Sequence, residues 1–188
     1  IGFRSLLGEI AKAWEKDAGG IRAKSDAAMQ KLQDHLTDEQ NKQEAPLDAA
    51  LKKAYDDTAS QFDYHEGGFS GSPKFPRPVV LLMLWRLKKW CGSKKQEHDS
   101  GWCESMVKTT LTQMAFGGIR DHIGGGFHRY SVDAYWHVPH YEKMLYDQAQ
   151  LAVAYIESFQ NTGIPFFAEI AREILAYCKR DLRHPDGG

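Results

Sequence analysis

The segment GGFSGSPKFPRPVVLLMLWRLKKW, residues 67–90, joins a glycine-rich loop to a long apolar run, and this combination indicates the architecture of the chain. The run VVLLMLWRLKKW is hydrophobic around most of a helical circumference until its basic end, which is typical of a buried helix. Pro76 and Pro78 precede it and lysines lie near its end, as expected from the preference for proline at the start of a helix and for cations at its end. The segment therefore predicts a loop followed by a buried helix.

Helical periodicity continues on both sides of this segment. Pro139 and Pro165 stand where a proline in the first turn would begin a helix, and Gly117 stands where a helix would end. The predicted helices run from Leu47 to Phe62, over residues 79–90, from Ser100 to Phe116, from Pro139 to Gln160 and from Pro165 to Leu182. No segment with the two-residue period of a strand competes with them, so we predict an all-α fold.

Glycine pairs recur at positions 67–68, 125–126 and 187–188, with separations of 58 and 62 residues, and Phe69 and Phe127 follow the first two pairs. This is an internal repeat in which each unit holds two helices. Repeated helix pairs bury their apolar faces by stacking on neighbouring pairs. We therefore predict a closed or stacked array of helical hairpins, of which this chain supplies the first members, with the glycine loops gathered on one face.

The N-terminal part of the chain is organised differently. Over residues 1–36, apolar residues recur at helical spacing in a weaker pattern. The following stretch TDEQNKQEAP, residues 37–46, is polar, lacks periodicity and ends in a proline, which is typical of a linker. We predict helices over 1–36, a linker over 37–46 and the helical hairpins over 47–188.

Composition excludes several classes of protein. The chain has 188 residues, 42% hydrophobic content and a formal net charge of −1, which favours a globular fold and gives no attraction for nucleic acid or an anionic membrane. No apolar run is long enough to span a bilayer. Cys91, Cys103 and Cys178 have no metal-type spacing, so we expect buried free thiols in a reducing compartment.

The segment GGIRDHIGGGFHRYSVDAYWHVPHYEKMLYDQAQ, residues 117–150, concentrates ionisable, aromatic and glycine residues that core packing does not require. Such side chains serve proton transfer, metal binding and sugar recognition. If the fourth helix begins at Pro139, a helical wheel places His140, Lys143 and Asp147 on one polar strip near its N-terminus. The segment therefore predicts a functional site.

Three stretches carry a resemblance to a known family: GGFSGSPKFPRP, the segment from Gly117 to Tyr155, and the terminal HPDGG. They closely resemble the thioredoxin-domain-containing proteins typified by spermatogenesis-associated protein 20. The resemblance implies a partial (α/α)6 toroid similar to that of N-acylglucosamine 2-epimerases and six-hairpin glycosidases. It also implies that residues 1–36 are the C-terminal helical end of a preceding thioredoxin-like domain, a partner in the full-length protein. Fold is implied more firmly than activity.

A toroid of this kind suggests a sugar or sugar-like ligand in a central cavity. For epimerisation or isomerisation, His128 and His140 are the candidate base and conjugate acid, since a proton must leave the carbon next to a carbonyl and return. A histidine at a helix N-terminus favours its neutral form, which is where Pro139 would place His140. For glycoside hydrolysis, the candidate carboxylates are Asp121, Glu142 and Asp147.

Other residues of the segment are candidates for substrate contact. Aromatic faces suit a sugar ring, and polar side chains suit its hydroxyl groups. The predicted substrate-binding residues are Arg129, Tyr130, Trp136, His137, Lys143, Tyr146, Gln148 and His122. We predict no cofactor, and no metal because the histidines do not match the HExxH pattern.

Structural roles explain the same residues without any chemistry. Glu142 would complement a helix dipole, and Lys143 with Asp147 has the i,i+4 spacing of an ion pair. Asp121 would cap a turn and Arg129 would brace a carboxylate. His122 and His137 would bond backbone carbonyls, while Trp136 and Tyr130 would pack in the core or at its rim. The alternative function is a non-catalytic module that binds a protein or a redox partner.

Overall fold

The computed structural model describes residues 2–41, 46–69 and 71–187, and its chain divides into two compact units between Leu47 and Asp48. The helices are α1 (Phe3–Asn41), α2 (Leu47–Ser60), α3 (Pro78–Ser93), α4 (Glu97–Phe116), α5 (Leu145–Thr162) and α6 (Pro165–Tyr177), and a π-helical turn follows at Cys178–Leu182. The described residues contain isolated β-bridges but no β-strand. The predicted all-α fold is confirmed.

The first unit consists mainly of α1, which is interrupted at Asp17, where φ is −153° and ψ is 60°. Oδ1 of Asp17 accepts a hydrogen bond of 2.8 Å from the backbone N–H of Gly20, as a cap of the helical stretch that follows. The helix continues to Asn41, so residues 37–41 of the predicted linker are helical, and residues 42–45 lie outside the described part of the chain. The exposed large apolar side chains of α1 are Phe3, Leu6, Leu7, Ile10, Trp14, Ile21, Met29, Leu32 and Leu36.

The second unit is built from two principal helix pairs, α3 with α4 and α5 with α6, and α3 also packs against α5. The helix over residues 79–90 is confirmed, with Pro78 in its first turn. The interior is apolar and includes Leu81, Trp85, Met106, Leu111, Phe127, Leu151, Tyr155, Phe167 and Ile174, all at most 1% exposed. Trp85 and Tyr155 satisfy their polar atoms inside this core, on Ser158 and on the carbonyl of Leu111.

The fourth predicted helix begins later than expected. Helix α5 starts at Leu145, so the predicted start at Pro139 is wrong. Pro139 forms an isolated bridge with Ser131 in a short irregular hairpin. The N–H of Val132 donates to the carbonyl of Val138 at 2.8 Å, which fixes the tip of this hairpin. Proline suits such a position, because an edge that needs no N–H donor accepts it as readily as a helix start does.

The repeat inferred from the glycine pairs is confirmed in its first two copies. We call residues 63–69 the first glycine turn and residues 121–127 the second glycine turn. In both, the aspartate N–H donates at 3.0 Å to the carbonyl of the second glycine, and the phenylalanine forms a bridge with the residue before the aspartate. All four glycines of these two turns have positive φ, between 66° and 77°. The third pair ends at Gly188, which lies outside the described residues.

The three cysteines are free, with Cys91 and Cys103 buried and Cys178 half-buried. Burial raises the pKa of all three thiols, and that of Cys103 reaches about 12. The predicted burial is confirmed for Cys91 and Cys103. Within the described ranges, no helix combines the length and the apolar character needed to cross a bilayer.

Candidate functional site

The second glycine turn is closed by a partly buried ion pair. Oδ1 of Asp121 accepts the backbone N–H groups of Ile123 and Gly124 at 3.0 and 2.8 Å, and Oδ2 accepts Nζ of Lys143 at 2.7 Å. The same ammonium donates to the carbonyl of Gly125 at 2.7 Å. The Lys143 ammonium, followed by the Gly124 amide, holds the pKa of Asp121 well below its usual range. Asp121 is therefore a fixed anion with no proton to donate.

The first glycine turn has the same arrangement. Nζ of Lys74 donates to Oδ2 of Asp63 at 2.7 Å and to the carbonyl of Ala134 at 2.8 Å, and it lies 5.2 Å from the ring centre of Trp136. Lys74 is completely buried. This pair was not predicted from the sequence, although Asp63 precedes Asp121 by 58 residues, the same separation as that of the first two glycine pairs.

His128 follows the second glycine turn, and one ring nitrogen of its side chain has no hydrogen-bond partner among the described residues. Its backbone N–H donates to the carbonyl of Ile119 at 2.8 Å, and its ring meets the edge of Tyr141 at 5.5 Å. Nδ1 is buried and has no hydrogen-bond partner among the described residues. Burial lowers the pKa of His128, the nearby ammonium of Lys143 lowers it further, and Asp121 opposes both. The imidazole is therefore neutral at neutral pH.

Asp147, in the first turn of α5, shows the opposite perturbation. Its Oδ2 is buried with no hydrogen-bond partner in the described structure. Burial raises the pKa of Asp147, Arg129 lowers it, and the like charge of Glu142 raises it. A carboxyl group perturbed in this direction holds its proton to higher pH than an ordinary aspartate. The predicted i,i+4 pair with Lys143 does not form, because that ammonium is bound to Asp121.

Arg129 and Glu142 form the polar centre of the hairpin before α5. Nη1 of Arg129 lies 2.9 Å from Oε1 of Glu142, and the N–H of Arg129 donates to the carbonyl of Glu142 at the same distance. Nδ1 of His140 lies 3.4 Å from that carboxylate, and its ring stacks on Tyr130 at 4.6 Å. Arg129 therefore braces a carboxylate, one of the two roles weighed for it.

The later start of α5 changes the environment of these residues. His140, Glu142 and Lys143 precede the helix, so His140 is not at a helix N-terminus and Glu142 does not complement the helix dipole in its first turn. The polar strip expected to unite His140, Lys143 and Asp147 on one helix face is therefore wrong.

Trp136 and Gln148 lie inside the fold. Nε1 of Trp136 donates to the carbonyl of Glu66 at 2.8 Å, and the residue is fully buried with φ of 63°. Gln148 accepts the N–H of Phe127 at 2.9 Å and donates to its carbonyl at 2.7 Å. Their polar groups hold the two glycine turns in place. Both side chains therefore have structural roles, whereas the sequence predicted ligand contacts for them.

The remaining candidates lie at the surface. Nε2 of His122 lies 3.0 Å from the carbonyl of Gly117, the backbone contact weighed for it. His137 is exposed, with its ring 6.1 Å from Tyr135, and Tyr146 is also exposed. A cavity of about 260 Å³ opens beside the second glycine turn. Its lining includes Asp121, His122, Gly124, Tyr177 and Arg180.

The candidate residues thus form two groups, one around His128 and one around Asp147. Asp121 and Lys143 act electrostatically on His128, whereas Arg129 and Glu142 act on Asp147. No cluster of three or more histidine, cysteine or acidic side chains suited to a metal occurs in the part of the chain that the structure describes.

Comparison with known proteins finds homologues over the whole chain. Spermatogenesis-associated protein 20 of Homo sapiens is 40% identical over 190 residues, and that of Rattus norvegicus is also 40% identical. An uncharacterized protein of Caenorhabditis elegans is 35% identical over 191 residues. The chain spans about a quarter of the length of these curated relatives, with 24% or 25% of each covered. No protein-family model matches the chain. The resemblance to spermatogenesis-associated protein 20 is confirmed.

Proposed function

We propose that the second unit is part of a carbohydrate-binding or carbohydrate-transforming toroid in which His128 and Asp147 exchange protons with the ligand. One observation carries this proposal. Both side chains make no hydrogen bond to any described residue, and each has a buried polar atom without a partner. Leaving a buried polar group unsatisfied costs about 1–3 kcal/mol, and such exceptions are rare in folded proteins. A ligand-binding role supplies a reason for this cost.

The directions of the two pKa shifts suit complementary roles. A lowered pKa keeps His128 neutral and able to accept a proton, whereas a raised pKa keeps Asp147 closer to the protonated form that donates one. The two shifts move the pKa values of the imidazole and the carboxyl group towards each other, and perturbed pKa values are typical of groups in general acid–base sites. His128 is therefore the proposed base and Asp147 the proposed acid.

This assignment favours epimerisation or isomerisation over glycoside hydrolysis. Hydrolysis by a carboxylate pair needs a second free carboxylate facing Asp147. Asp121 is bound by Lys143, and Glu142 is bound by Arg129. An imidazole base paired with a carboxylic acid instead matches proton removal next to a carbonyl and its return.

Exposed aromatic and polar residues around these groups would contact the ligand. Tyr146 is 46% exposed, and the stacked rings of Tyr130 and His140 present a flat surface. Arg129 and Glu142, both about two-fifths exposed, have donors and acceptors available for sugar hydroxyl groups. His137 is a further exposed donor, within the same hairpin.

Unpartnered apolar surfaces support the toroid and the neighbouring thioredoxin-like domain. On α5 and α6, Val153, Ile156, Phe159 and Leu175 are between 37% and 52% exposed. In a longer protein, further hairpins would cover this face, and the thioredoxin-like domain would cover the exposed apolar side chains of α1. Burial of such side chains would contribute about 25 cal/mol per Å².

A thermal-shift screen of the full-length protein against monosaccharides and disaccharides tests the proposal. We expect at least one sugar to raise Tm and the shift to be lost in His128→Gln and Asp147→Asn. His98→Gln, at an exposed position in α4 that the proposed site does not use, is the control for general effects of losing a histidine. A shift that persists in both variants, or no shift with any sugar, contradicts the proposal.

A non-catalytic interaction module is the second candidate, favoured by the exposed apolar residues of α5 and α6. It predicts that His128→Gln and Asp147→Asn leave every binding property unchanged, while Phe159→Asp weakens binding of a protein partner. Affinity measured for these three variants against one purified partner separates the two candidates.

A further inference from the structure

Three aromatic rings from distant parts of the chain stack on one another beside the hairpin that precedes α5. The ring centres of Phe75 and Tyr130 are 4.8 Å apart, and those of Tyr130 and His140 are 4.6 Å apart. We call these three rings the aromatic stack. Tyr130 and His140 belong to the hairpin, whereas Phe75 lies in the loop SPKFPRP, residues 72–78, for which the proposed function gives no role.

Backbone pairing places the three rings on one face. Lys74 and Ser131 exchange both of their backbone hydrogen bonds, at 2.8 and 2.9 Å, as an antiparallel bridge. Residues next to such a bridge also lie opposite each other, so Phe75 is opposite Tyr130. On the other side of Tyr130, its carbonyl accepts the N–H of His140 at 2.9 Å. Tyr130 is therefore the middle ring of the stack.

The stack lies on the solvent side of this pairing. Side chains of successive residues in an extended segment point to opposite faces, and Lys74 and Ser131, which adjoin the stack in sequence, are completely buried. Phe75 is 38% exposed, and the side chain of His140 is 45% exposed. Because Tyr130 is covered by a ring on each side, the free ring faces are those of Phe75 and His140 at the two ends.

The polar groups beside the stack carry no net charge. Glu142 accepts a hydrogen bond of 2.9 Å from Arg129 and lies 3.4 Å from Nδ1 of His140. Arg77, the exposed cation of the Phe75 loop, lines a different cavity together with Asp57. A phosphate or an acidic ligand favours unpaired cations, whereas flat apolar faces beside paired donors and acceptors suit an uncharged ligand with hydroxyl groups.

We propose that the aromatic stack is a binding site for a neutral saccharide and that Phe75 is a ligand-stacking residue at one end of it. The inference rests on the proposed function only in the choice of a carbohydrate as the ligand. The C–H face of a sugar ring packs on the free face of Phe75, as apolar groups pack on aromatic side chains in ligand sites. Phe75 follows the first glycine turn and Tyr130 follows the second, so both repeat units contribute to this site.

Ligand-observed saturation-transfer NMR on the full-length protein measures its affinity for glucose, mannose, N-acetylglucosamine, maltose and cellobiose. We expect at least one of these sugars to bind, and Phe75→Leu to weaken its binding by about threefold to tenfold, as loss of one aromatic contact implies. Phe75→Trp keeps a flat face and should retain the affinity. Its added indole should also change its fluorescence when the sugar binds.

The matched control is Phe116→Leu. Phe116 is 67% exposed and its ring stacks on Phe166 at 5.2 Å, so this variant also removes an exposed, stacked ring, but outside the aromatic stack. We expect it to leave sugar affinity unchanged. If the stack only supported the hairpin, Phe75→Leu would lower Tm and bind the sugar as tightly as Phe116→Leu does.

That result overturns the proposal, as does tighter binding of glucose 6-phosphate than of glucose, or no binding of any of the five sugars. If Phe75→Leu does not fold, Phe75→Trp decides, and indole fluorescence that does not respond to a bound sugar overturns the proposal. Sugar binding lost in Phe75→Leu but kept in His128→Gln and Asp147→Asn supports the stack and contradicts the proposed function. The reverse pattern contradicts the stack and supports the proposed function.

Discussion

Nζ of Lys143 lies 2.7 Å from Oδ2 of Asp121, and this contact ties the residues before α5 to the turn that follows α4. Lys74 and Asp63 form the same contact at the same distance in the first glycine turn. The two contacts have the same length, although the lysine follows the aspartate by 11 residues in one pair and by 22 residues in the other. Because the two ion pairs have the same length, their contributions to stability can be compared directly.

The first prediction compares the two aspartates. Asp63→Asn leaves Lys74 fully buried without a counter-charge, which should cost about 3–5 kcal/mol of unfolding free energy, as for other broken buried pairs. Asp121→Asn leaves Lys143, which is 13% exposed, so the cost should be smaller. Urea unfolding measures both. Equal losses, or a larger loss in Asp121→Asn, would show that burial of the lysine does not set the cost.

The second prediction concerns pH. The pKa of Asp121 is lowered in the folded chain, so its ionised form contributes stability that is complete above the ordinary aspartate pKa of 3.8. That stability is lost as pH falls, because the unfolded chain then binds the proton first. The difference in unfolding free energy between the unmodified protein and Asp121→Asn should therefore shrink as pH falls below 3.8. A difference that stays constant with pH argues against the ionised pair.

The third prediction uses two glycines with similar backbone angles. Gly126 has φ of +76°, and a Cβ there would lie 2.6 Å from Cδ1 of Tyr177. Gly163 has φ of +70° and open space around it. Gly163→Ala should cost only the left-handed penalty of about 1–2 kcal/mol, whereas Gly126→Ala adds a steric clash. Chemical denaturation should show the larger loss for Gly126→Ala, and matching losses would mean that the turn relaxes freely.

The fourth prediction concerns Gln148, which binds both backbone groups of Phe127 in the core. Gln148→Leu replaces the amide with an apolar side chain of similar size and leaves the buried N–H and carbonyl of Phe127 without partners. Each should cost about 1–3 kcal/mol. We expect the loss to exceed that of Gln150→Leu, an exposed position on the same helix. If both variants unfold at the same urea concentration, the two hydrogen bonds do not stabilise the turn.

Much of the helical fold could be predicted from sequence. Pro78 and the apolar run after it identify α3, and the glycine pairs identify the repeat. The start of α5 could not be predicted, because Pro139 fits a helix start as well as the edge of a hairpin. Only hydrogen bonds between distant residues, such as Val132 to Val138, distinguish the two.

The position of the candidate site could be predicted from sequence, but the contacts of its individual residues could not. The density of histidines and acids identified residues 117–150, and His128 and Asp147 were among the candidates. The structure shows differences in burial between candidate residues that could not be distinguished in the sequence. Trp136 lies in the core whereas Tyr146 is exposed, and Lys143 pairs with a residue 22 positions away rather than with one four positions away.

The most direct test is a crystal structure of the full-length protein with the sugar that most raises its Tm. The account predicts polar atoms of the bound sugar within hydrogen-bond distance, about 3 Å, of the His128 imidazole and of the Asp147 carboxyl group. A structure in which the sugar lies elsewhere, and in which both side chains contact only atoms of the protein, would contradict it.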